Sequence, residues 1–378
     1  MNRVDPLTHT LLGAAAARTR LGRTTGLAGA ALALGANLPD VDVLSFVYGG
    51  DVALQCRRGW THGPLGLVFL PPLLAGILLL FDRWRRRRGS TGPPVFPGRL
   101  VALAYLGCLT HPLLDWLNTY GVRLLLPFDD RWFYGDTLFI IDPWLWLILG
   151  GATFLGSERR GIPWTWLAVA AACAAIVLGS SRFVTQPAGY VFLAGLGTIA
   201  AMRLWPTLRP ERGRAVATGL MLALLYVGAM RISTPIAASA IRDELDRLGV
   251  GEVHDLMVGP RPANPFARDV VVETATSYRF GRFRWLPRPT FELRRRAIAK
   301  PAASKVLRAA FDAPGVQGFV AWARYPWAEI DPTPDGYTVY LRDARYVSTK
   351  GRGFGTVVVE LDAELRPRAR SSPPASSR

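Results

Sequence analysis

The sequence predicts a mainly α-helical membrane protein, with a polytopic helical domain over residues 1–231 and a small α+β extracytoplasmic domain over residues 232–365. Three observations support this prediction. Half of the 378 residues are hydrophobic and the mean hydropathy is +0.19, which is high for a soluble protein. Charged residues up to Arg231 fall mainly between apolar runs, whereas beyond Ile232 they are spread as in a soluble domain. The short loops between the apolar runs are rich in arginine, which is typical of cytoplasmic loops.

The apolar runs define the expected elements in order. Leu7–Ala17 predicts a helix too short to cross a bilayer comfortably, and Gly26–Val47 predicts a helix with a kink or break near Pro39. A polar, aromatic loop follows the second full span, at Asn118–Asp136. The spans are predicted at Gly63–Phe81, Arg99–Leu117, Phe139–Gly156, Trp164–Ser180, Tyr190–Trp205 and Ala215–Met230.

The remainder of the chain predicts a soluble domain and a tail. Ile236–Leu248 and Ala302–Phe311 are expected to be helices, and the valine- and threonine-rich runs Asp269–Tyr278 and Gly355–Leu361 are expected to be strands. Residues 366–378 are rich in proline, serine and arginine and are predicted to be disordered.

Arginine-rich loops orient the spans. The positive-inside rule places Arg83–Arg88, the Arg159-Arg160 pair and the loop from Arg203 to Arg214 in the cytoplasm. Alternating the spans satisfies all these loops at once. The scarce polar residues of the apolar segments then fall near the outer face, with His9 joining them if the first helix dips in from outside. These residues are His9, Asp40, Asp42, His62 and Asp115.

Composition excludes several function classes. The formal net charge of +17 is distributed as short loop clusters, so we expect no nucleic-acid partner. The three cysteines have no CxxC spacing and are odd in number, which indicates packing residues rather than a disulfide or zinc framework. No glycine-rich nucleotide loop and no GxSxG elbow occurs, which argues against ATP-driven and serine-hydrolase chemistry.

Three of the four histidines share a local Thr-His pattern at the edge of or within apolar helices: His9, His62 and His111. A lone histidine on such a face is more often a packing residue than a ligand, but three on one side of the membrane favour a ligand set. His111 and Asp115 are spaced i, i+4 and therefore share one face of a helix. An ionisable pair in so apolar a segment needs compensation, which a metal ion would supply. His254 is predicted to be an ordinary surface residue.

The aspartates complete the predicted site. Asp40 and Asp42 follow a proline turn, where each alone would be read as a helix cap. Together with the histidines they suit one six-coordinate metal ion or a bridged pair. Zn²⁺ is the expected ion, with Mn²⁺ or Fe²⁺ as alternatives, and the absence of cysteine argues against a structural zinc cage. The predicted metal ligands are His9, Asp40, Asp42, His62, His111 and Asp115.

Three other polar residues have two interpretations each. Arg58 would either clamp an anionic substrate group or be an ordinary arginine of the membrane interface. Asp142 would either act at the site or cap a helix beginning at Pro143, and the cap is favoured. Asp136 lies near the outer start of the same span and would be either supporting or structural.

Ordered motifs over about the first 150 residues resemble the family of inner-membrane, metal-dependent hydrolases named after the bacterial protein YdjM. The motifs are Asp5-Pro-Leu-Thr-His-Thr10, Leu38-Pro-Asp-Val-Asp42, Arg58-Gly-Trp-Thr-His62, Thr110-His-Pro-Leu-Leu-Asp115 and Gly135-Asp-Thr-Leu-Phe-Ile-Ile-Asp-Pro143. The resemblance implies a bacterial inner-membrane protein with hydrolase activity. The helical His-x-x-x-Asp is also similar to the zinc-dependent phospholipase C and P1-nuclease group, which suggests phosphoester substrates.

The main hypothesis is a metal-dependent hydrolase with its site near the outer leaflet, acting on a phosphoester or lipid-linked substrate. A water activated by the metal ion would be the nucleophile, and Asp40, Asp115 and Arg58 are the catalytic candidates. Membrane lipids are the expected partners. Two alternatives stay open: a non-catalytic transporter or scaffold, and a structural metal site that ties helices together.

Overall fold

A computed structural model describes residues 5–158, 163–180, 184–346 and 355–368. The N-terminal part is helical and the C-terminal part is built on two antiparallel sheets. The helices of the first part are α1 (Pro6–Ala16), α2 (Ala28–Gly35), α3 (Gly50–Cys56), α4 (Pro64–Arg87), α5 (Pro97–Trp116), α6 (Pro143–Leu155), α7 (Trp164–Gly179), α8 (Gln186–Leu204) and α9 (Arg212–Arg247), with 3-10 helices at Arg20–Arg23 and Leu38–Tyr48.

Close packing of α2 on α5 is the centre of the first part. A Cβ atom at Gly107 would lie 2.8 Å from the Leu32 carbonyl oxygen and 3.1 Å from the Gly35 Cα, so only glycine permits this approach. The contact brings the carboxyl end of α2 against the middle of α5, where His111 lies. The backbone carbonyl of Ala36 is thereby placed within reach of that histidine.

The break predicted near Pro39 is confirmed. α2 and the 3-10 helix Leu38–Tyr48 meet at 44°, which makes the segment a bent pair rather than a straight span. Within the described ranges, three helices, α4, α8 and α9, are long and apolar enough to cross a membrane, and the bent pair would be a fourth. α6 and α7 are apolar but shorter. α6 begins at Pro143 rather than Phe139, because the Asp142 carboxylate accepts hydrogen bonds from the first helical N–H groups.

The second part begins on a helix shared with the first. The sequence predicts separate helices at Ala215–Met230 and Ile236–Leu248, but α9 continues through both and contains Pro235 without ending there. The boundary predicted between residues 231 and 232 therefore falls inside a continuous helix. The last turns of α9 pack Ile241 and Leu245, both fully buried, against the first sheet.

The sheets have simple up-and-down topology. The first has strands in the order β1 (Val253–Arg261), β2 (Asn264–Thr274), β3 (Ser277–Arg284) and β4 (Thr290–Ala299). The second has β5 (Pro326–Thr333), β6 (Gly336–Asp343) and β7 (Thr356–Asp362), with α10 (Lys305–Phe311) and α11 (Gln317–Trp322) between the sheets in the chain.

The strand predicted at Asp269–Tyr278 is divided in the structure. It contains the end of β2, a turn and the start of β3, since hydrogen bonds between Thr274 and Ser277 close the turn. The helix and strand predicted near residues 302–311 and 355–361 are confirmed as α10 and β7.

Two predictions concern residues at the edges of the described ranges. Arg159 and Arg160, predicted to be cytoplasmic, lie outside the described residues. The tail was predicted to be disordered from residue 366, but the backbone N–H groups of Arg366 and Arg368 donate to Asp362 and Glu360 of β7. Residues 369–378 lie outside the described ranges.

Candidate metal centre

Three histidines and one aspartate meet inside the helical bundle. His9 lies on α1, His62 immediately precedes α4, and His111 and Asp115 lie one turn apart on α5. All four side chains are buried. The Nε2 atoms of His9, His62 and His111 lie 3.5, 3.2 and 3.7 Å from the carboxylate oxygens of Asp115. Side chains from three segments therefore converge on one carboxylate.

Asp40 closes a second side of this cluster. The 3-10 helix that follows Pro39 directs its carboxylate towards α5, where Oδ1 lies 3.6 Å from His111 Nε2. Two triplets have ligand atoms within 4.8 Å of one another and could hold a metal ion: His9, His111 and Asp115, and Asp40, His62 and His111. His111 belongs to both triplets. Imidazole and carboxylate donors in this mixture suit Zn²⁺, Mn²⁺ or Fe²⁺.

Hydrogen bonds outside the cluster orient two of the imidazoles. His111 Nδ1 lies 2.7 Å from the Ala36 carbonyl oxygen, so this nitrogen donates and the lone pair of Nε2 faces the cluster. His62 Nδ1 lies 3.0 Å from the hydroxyl of Thr61. Metal-binding histidines are commonly held in this way, with one ring nitrogen hydrogen-bonded outward and the other free to bind the ion.

Several buried side-chain atoms of the cluster lack hydrogen-bond partners among the residues that the structure describes. Within the described part of the chain, His62 Nε2, His111 Nε2 and Asp115 Oδ2 are buried and have no hydrogen-bond partner. Buried polar atoms are almost always paired, because an unpaired one costs about 1–3 kcal/mol. A divalent cation held by the two triplets to which these residues belong would satisfy them. The donor set therefore fits a divalent metal ion.

His9 has a second contact that fixes its ring. It stacks on His111 with the ring centroids 3.8 Å apart and the planes inclined by 19°. The start of α1 is held by Asp5, which accepts hydrogen bonds from the N–H groups of Leu7 and Thr8 and from the indole of Trp146 on α6. The position of His9 thus depends on the packing of α1 against α6.

Asp42 lies elsewhere than predicted. Its carboxylate accepts hydrogen bonds from the backbone N–H of Arg58 at 2.8 Å and the hydroxyl of Thr61 at 3.2 Å, and lies 3.5 Å from His62 Nδ1. It belongs to neither triplet found among the described residues. A 3-10 helix has three residues per turn, so side chains two residues apart point to different sides. Asp42 contacts the outward nitrogen of His62, and its role as a metal ligand stays a prediction.

Arg58 is buried, with 3% exposure, rather than lying at an interface. Its Nη2 donates to Asp115 Oδ1 at 2.9 Å and its Nη1 to Asn118 Oδ1 at 2.9 Å. The guanidinium lies 4.6 Å from the ring centre of Tyr120. Its φ of 51° is rare for a residue other than glycine and is held by the hydrogen bond to Asp42. Its charge therefore balances that of Asp115.

The remaining predicted residues have mainly structural contacts. Asp142 accepts hydrogen bonds from the Trp144 and Leu145 N–H groups, which confirms the favoured cap. Asp136 faces the C-terminal part, where its carboxylate accepts a hydrogen bond from Arg324 at 2.9 Å. Burial raises the pKa of Asp136, and the charge of Arg324 opposes that rise. His254 is exposed on β1, as predicted.

Sequence reasoning missed the residues that hold Arg58 in place. Asn118 and Tyr120 follow α5 directly, and a polar residue at the end of an apolar helix was the only available signal. The C-terminal part contacts the backbone of this segment, because Arg345 Nη1 donates hydrogen bonds to the carbonyl oxygens of Thr119 at 2.9 Å and Tyr120 at 3.2 Å. The C-terminal part therefore contacts the segment that positions Arg58.

A small cavity adjoins the cluster. Its volume is about 30 Å³, enough for one water molecule. Its lining includes His9, Arg58 and Asp115 of the cluster, together with Asp5 and Asp142. Any larger substrate would need this space to widen.

Comparisons with known proteins agree with the residues of this site. Residues 4–185 match the family described as "YdjM inner membrane protein". The chain is also similar to the "Uncharacterized protein YfhP" of Bacillus subtilis (strain 168), with 24% identity over 113 residues that cover 30% of this chain and 32% of the relative. The chain thus spans about a third of the length of the curated relative it matches. No solved structure matches the chain.

The matched region contains His9, Asp40, His62, His111 and Asp115, so the family resemblance drawn from the motifs is confirmed where the site lies. The apolar helices α4, α8 and α9 agree with a membrane location. Over residues 4–185, this chain is similar to the YdjM family of inner-membrane proteins.

Proposed function

We propose that this protein is a metal-dependent hydrolase of the inner membrane that acts on a phosphoester or lipid-linked substrate at the outer face. The observation that carries the proposal is the convergence of three buried, unpaired ligand atoms: His62 Nε2, His111 Nε2 and Asp115 Oδ2. A divalent ion bound there, with Zn²⁺ the leading candidate, would supply Lewis acidity for the polarisation of water or of a substrate oxygen.

The residues around the ion have distinct tasks. His62, His111 and Asp115 would hold it, with Asp40 and His9 as the remaining ligands from the two triplets. Arg58 pairs with Asp115 and fixes the direction of its carboxylate through Nη2. Asp42 and the Ala36 carbonyl hold the outward nitrogens of His62 and His111.

Asp40 is the best-placed proton acceptor. Its side chain is 14% exposed, against 2% for Asp115, so it is the carboxylate of the cluster that water can reach. Arg57 Nη2 lies 3.4 Å from Asp40 Oδ1 and pairs with this carboxylate. Asp115 faces three imidazoles and Arg58, which suits a ligand better than a proton carrier.

The substrate class is proposed from location and charge. The arginine-rich loops place the cluster towards the outer ends of its segments, at the level of lipid headgroups. Arg57 and Arg58 lie beside the cluster and would favour an anionic substrate group. The C-terminal part would then lie in the periplasm.

A structural metal site in a scaffold protein is the second candidate. The observation in its favour is the small size of the adjoining cavity, about 30 Å³, together with the engagement of Arg58 by Asp115. Such a site would tie α1, α4 and α5 together without turnover. A transporter is less well supported, since an ion pathway calls for polar residues distributed through the membrane depth, whereas these meet in one cluster.

Metal content and turnover test the proposal together. Wild-type protein purified without chelators should contain stoichiometric metal and hydrolyse bis-p-nitrophenyl phosphate or a lipid diphosphate. His111→Ala should lose both properties, while His254→Ala, which changes the exposed fourth histidine, should keep both. Absence of stoichiometric metal from wild type and His111→Ala alike would overturn the metal site. Bound metal that stabilises the fold without any turnover would establish the scaffold instead.

Sidedness needs its own measurement. A cysteine introduced at Glu252 in a Cys56→Ser background should react with a membrane-impermeant maleimide in intact spheroplasts. A cysteine at Arg87, at the end of α4, should react only after the membrane is opened. The reverse pattern would place the cluster at the cytoplasmic face.

A further inference from the structure

The end of the bundle away from the metal-compatible cluster contains an open cleft of about 1460 Å³. α1 runs from His9 in the cluster to its end at Ala16, about 10 Å along the helix, and Arg18 at the cleft lies two residues beyond that end. α9 starts at the cleft, which Val216 lines, and reaches the loops near the cluster at Met230, about 21 Å away. The two sites are therefore separate.

Arginines from three separate regions line the cleft. Arg18, Arg20 and Arg23 come from the end of α1 and the 3-10 helix that follows, and Arg203 comes from the end of α8. Three more arginines come from the segment that leads into α9, at positions 209, 212 and 214. Glu211 is the one acidic residue among the described residues of the lining, and it pairs with Arg214 at 3.2 Å. The cleft therefore has a strong excess of positive charge.

An apolar groove of about 250 Å³ adjoins the same end of α1. It lies between α1, α6, α7 and α8 and is lined mainly by apolar side chains, among them Leu11, Leu147, Val169 and Phe192. Arg18 lines both the groove and the cleft. A positively charged cleft thus continues into an apolar groove between membrane helices.

We propose that the cleft and groove form a binding site for one anionic phospholipid, with its phosphate among the arginines and an acyl chain in the groove. Several guanidiniums from different segments can share a phosphate group through charge-assisted hydrogen bonds. Basic pockets between membrane helices are suited to acidic lipid headgroups. The apolar groove favours a lipid over a free phosphate, because only a lipid would fill both spaces.

Topology alone explains the arginines at the end of α4, but not those of the cleft. Arg85 and Arg86 pair with Asp82 on their own helix, and Arg83 and Arg87 are exposed and line neither space. The cleft arginines instead surround a common volume. These two groups on the same predicted side of the membrane provide a matched comparison.

The test measures the affinity of the delipidated full-length protein for phosphatidylglycerol in a nonionic detergent. The triple variant Arg20→Gln/Arg23→Gln/Arg209→Gln should bind phosphatidylglycerol roughly 10- to 100-fold more weakly than wild type, from the contribution of each arginine near an anionic headgroup. The control triple variant Arg83→Gln/Arg87→Gln/Arg88→Gln should bind as wild type does. Phosphatidylcholine should bind much more weakly than phosphatidylglycerol to the wild-type protein.

A second pair of variants tests the groove without changing any charge. Ala170→Phe would fill the groove and should weaken phosphatidylglycerol binding, whereas Ala168→Phe, on the exposed side of the same helix, should not. Equal losses in the two arginine triples would overturn the proposal in favour of general surface charge. Full competition by inorganic phosphate, with no effect of Ala170→Phe, would overturn it in favour of a free anion. Neither result depends on hydrolase activity.

Discussion

Two buried polar clusters in this protein differ in how their charges are satisfied. In the C-terminal part, both oxygens of Asp343 accept hydrogen bonds from Arg345, and Oδ2 also accepts one from the Arg324 backbone N–H. Arg345 donates its remaining hydrogen bonds to carbonyl oxygens, including those of Thr119 and Trp322. Around Asp115, by contrast, His62 Nε2, His111 Nε2 and Asp115 Oδ2 have no hydrogen-bond partner among the described residues.

This difference in hydrogen bonding distinguishes a structural cluster from a candidate binding site. The Asp343–Arg345 cluster is complete within the protein and joins the C-terminal part to the loop after α5. The Asp115 cluster also has imidazoles that are oriented by hydrogen bonds from outside, but three of its atoms lack hydrogen-bond partners among the described residues. Buried ionic groups thus link two parts of the protein at Asp343–Arg345 and form a candidate binding site at Asp115.

The largest effect on stability is expected from removing Arg345, which links the C-terminal part to the loop after α5. Arg345→Ala should lower the free energy of unfolding by about 3–5 kcal/mol, because it leaves the Asp343 charge buried without its partner. Denaturant unfolding in detergent, followed by tryptophan fluorescence, measures the change. Arg366→Ala is the matched control: its exposed pair with Asp362 should contribute no more than about 1 kcal/mol. Similar losses in both variants would refute a special role for Arg345.

Metal addition should stabilise the open cluster by a slightly smaller amount. Zn²⁺ at 100 to 1,000 times its Kd should raise the free energy of unfolding of metal-free wild type by about 2.7–4.1 kcal/mol. Asp115→Asn should abolish this gain, and Arg345→Ala should retain it, since the two clusters bind different partners. Unfolding curves with and without Zn²⁺ provide the measurement. A gain that persists in Asp115→Asn would mean that Zn²⁺ binds elsewhere.

Removing the carboxylate that contacts His62 from outside should have an intermediate effect, on metal affinity. Asp42→Asn should weaken metal affinity about 10- to 100-fold, because Asp42 holds the outward side of His62 without itself facing the ion. Competition with a coloured chelator measures this affinity. Asp130→Asn, which changes an exposed acid outside the cluster, should leave it unaltered. Complete loss of metal in Asp42→Asn would instead indicate that Asp42 is itself a metal ligand.

The smallest effect is expected at the rim of the interface between the two parts. Burial alone would raise the pKa of Asp255, but Arg324 and the Tyr325 hydroxyl lower it overall. The carboxylate therefore contributes stability above its unfolded pKa of about 3.9, and this contribution is lost as the pH falls through the lower folded value. Asp255→Asn should cost less than about 1 kcal/mol at neutral pH, because the side chain is 43% exposed. An unchanged stability difference between variant and wild type across that acidic range would contradict the assignment.

Local pattern was enough to predict the helical elements and most of the candidate ligands. Periodic apolar runs located α1, α4 and α5, and proline marked the bend near Pro39. The repeated Thr-His pattern and the His111–Asp115 spacing identified side chains that the structure brings together. These features depend on neighbours within one or two helical turns, which a sequence displays directly.

The tertiary structure decided what depends on contacts between distant segments. Whether Asp42 faces the centre of the cluster or the back of His62 follows from a 3-10 turn and its packing, and two aspartates separated by one residue look equivalent in a sequence. Arg345 lies 226 residues from the Thr119 carbonyl that it contacts, and no local pattern encodes such a pairing. The amino-acid sequence by itself determined which residues are too polar for their apolar surroundings, because that is a local property. Only the packed chain decided which of them satisfy one another and which remain open for a ligand, since hydrogen bonding capacity is settled by geometry in three dimensions.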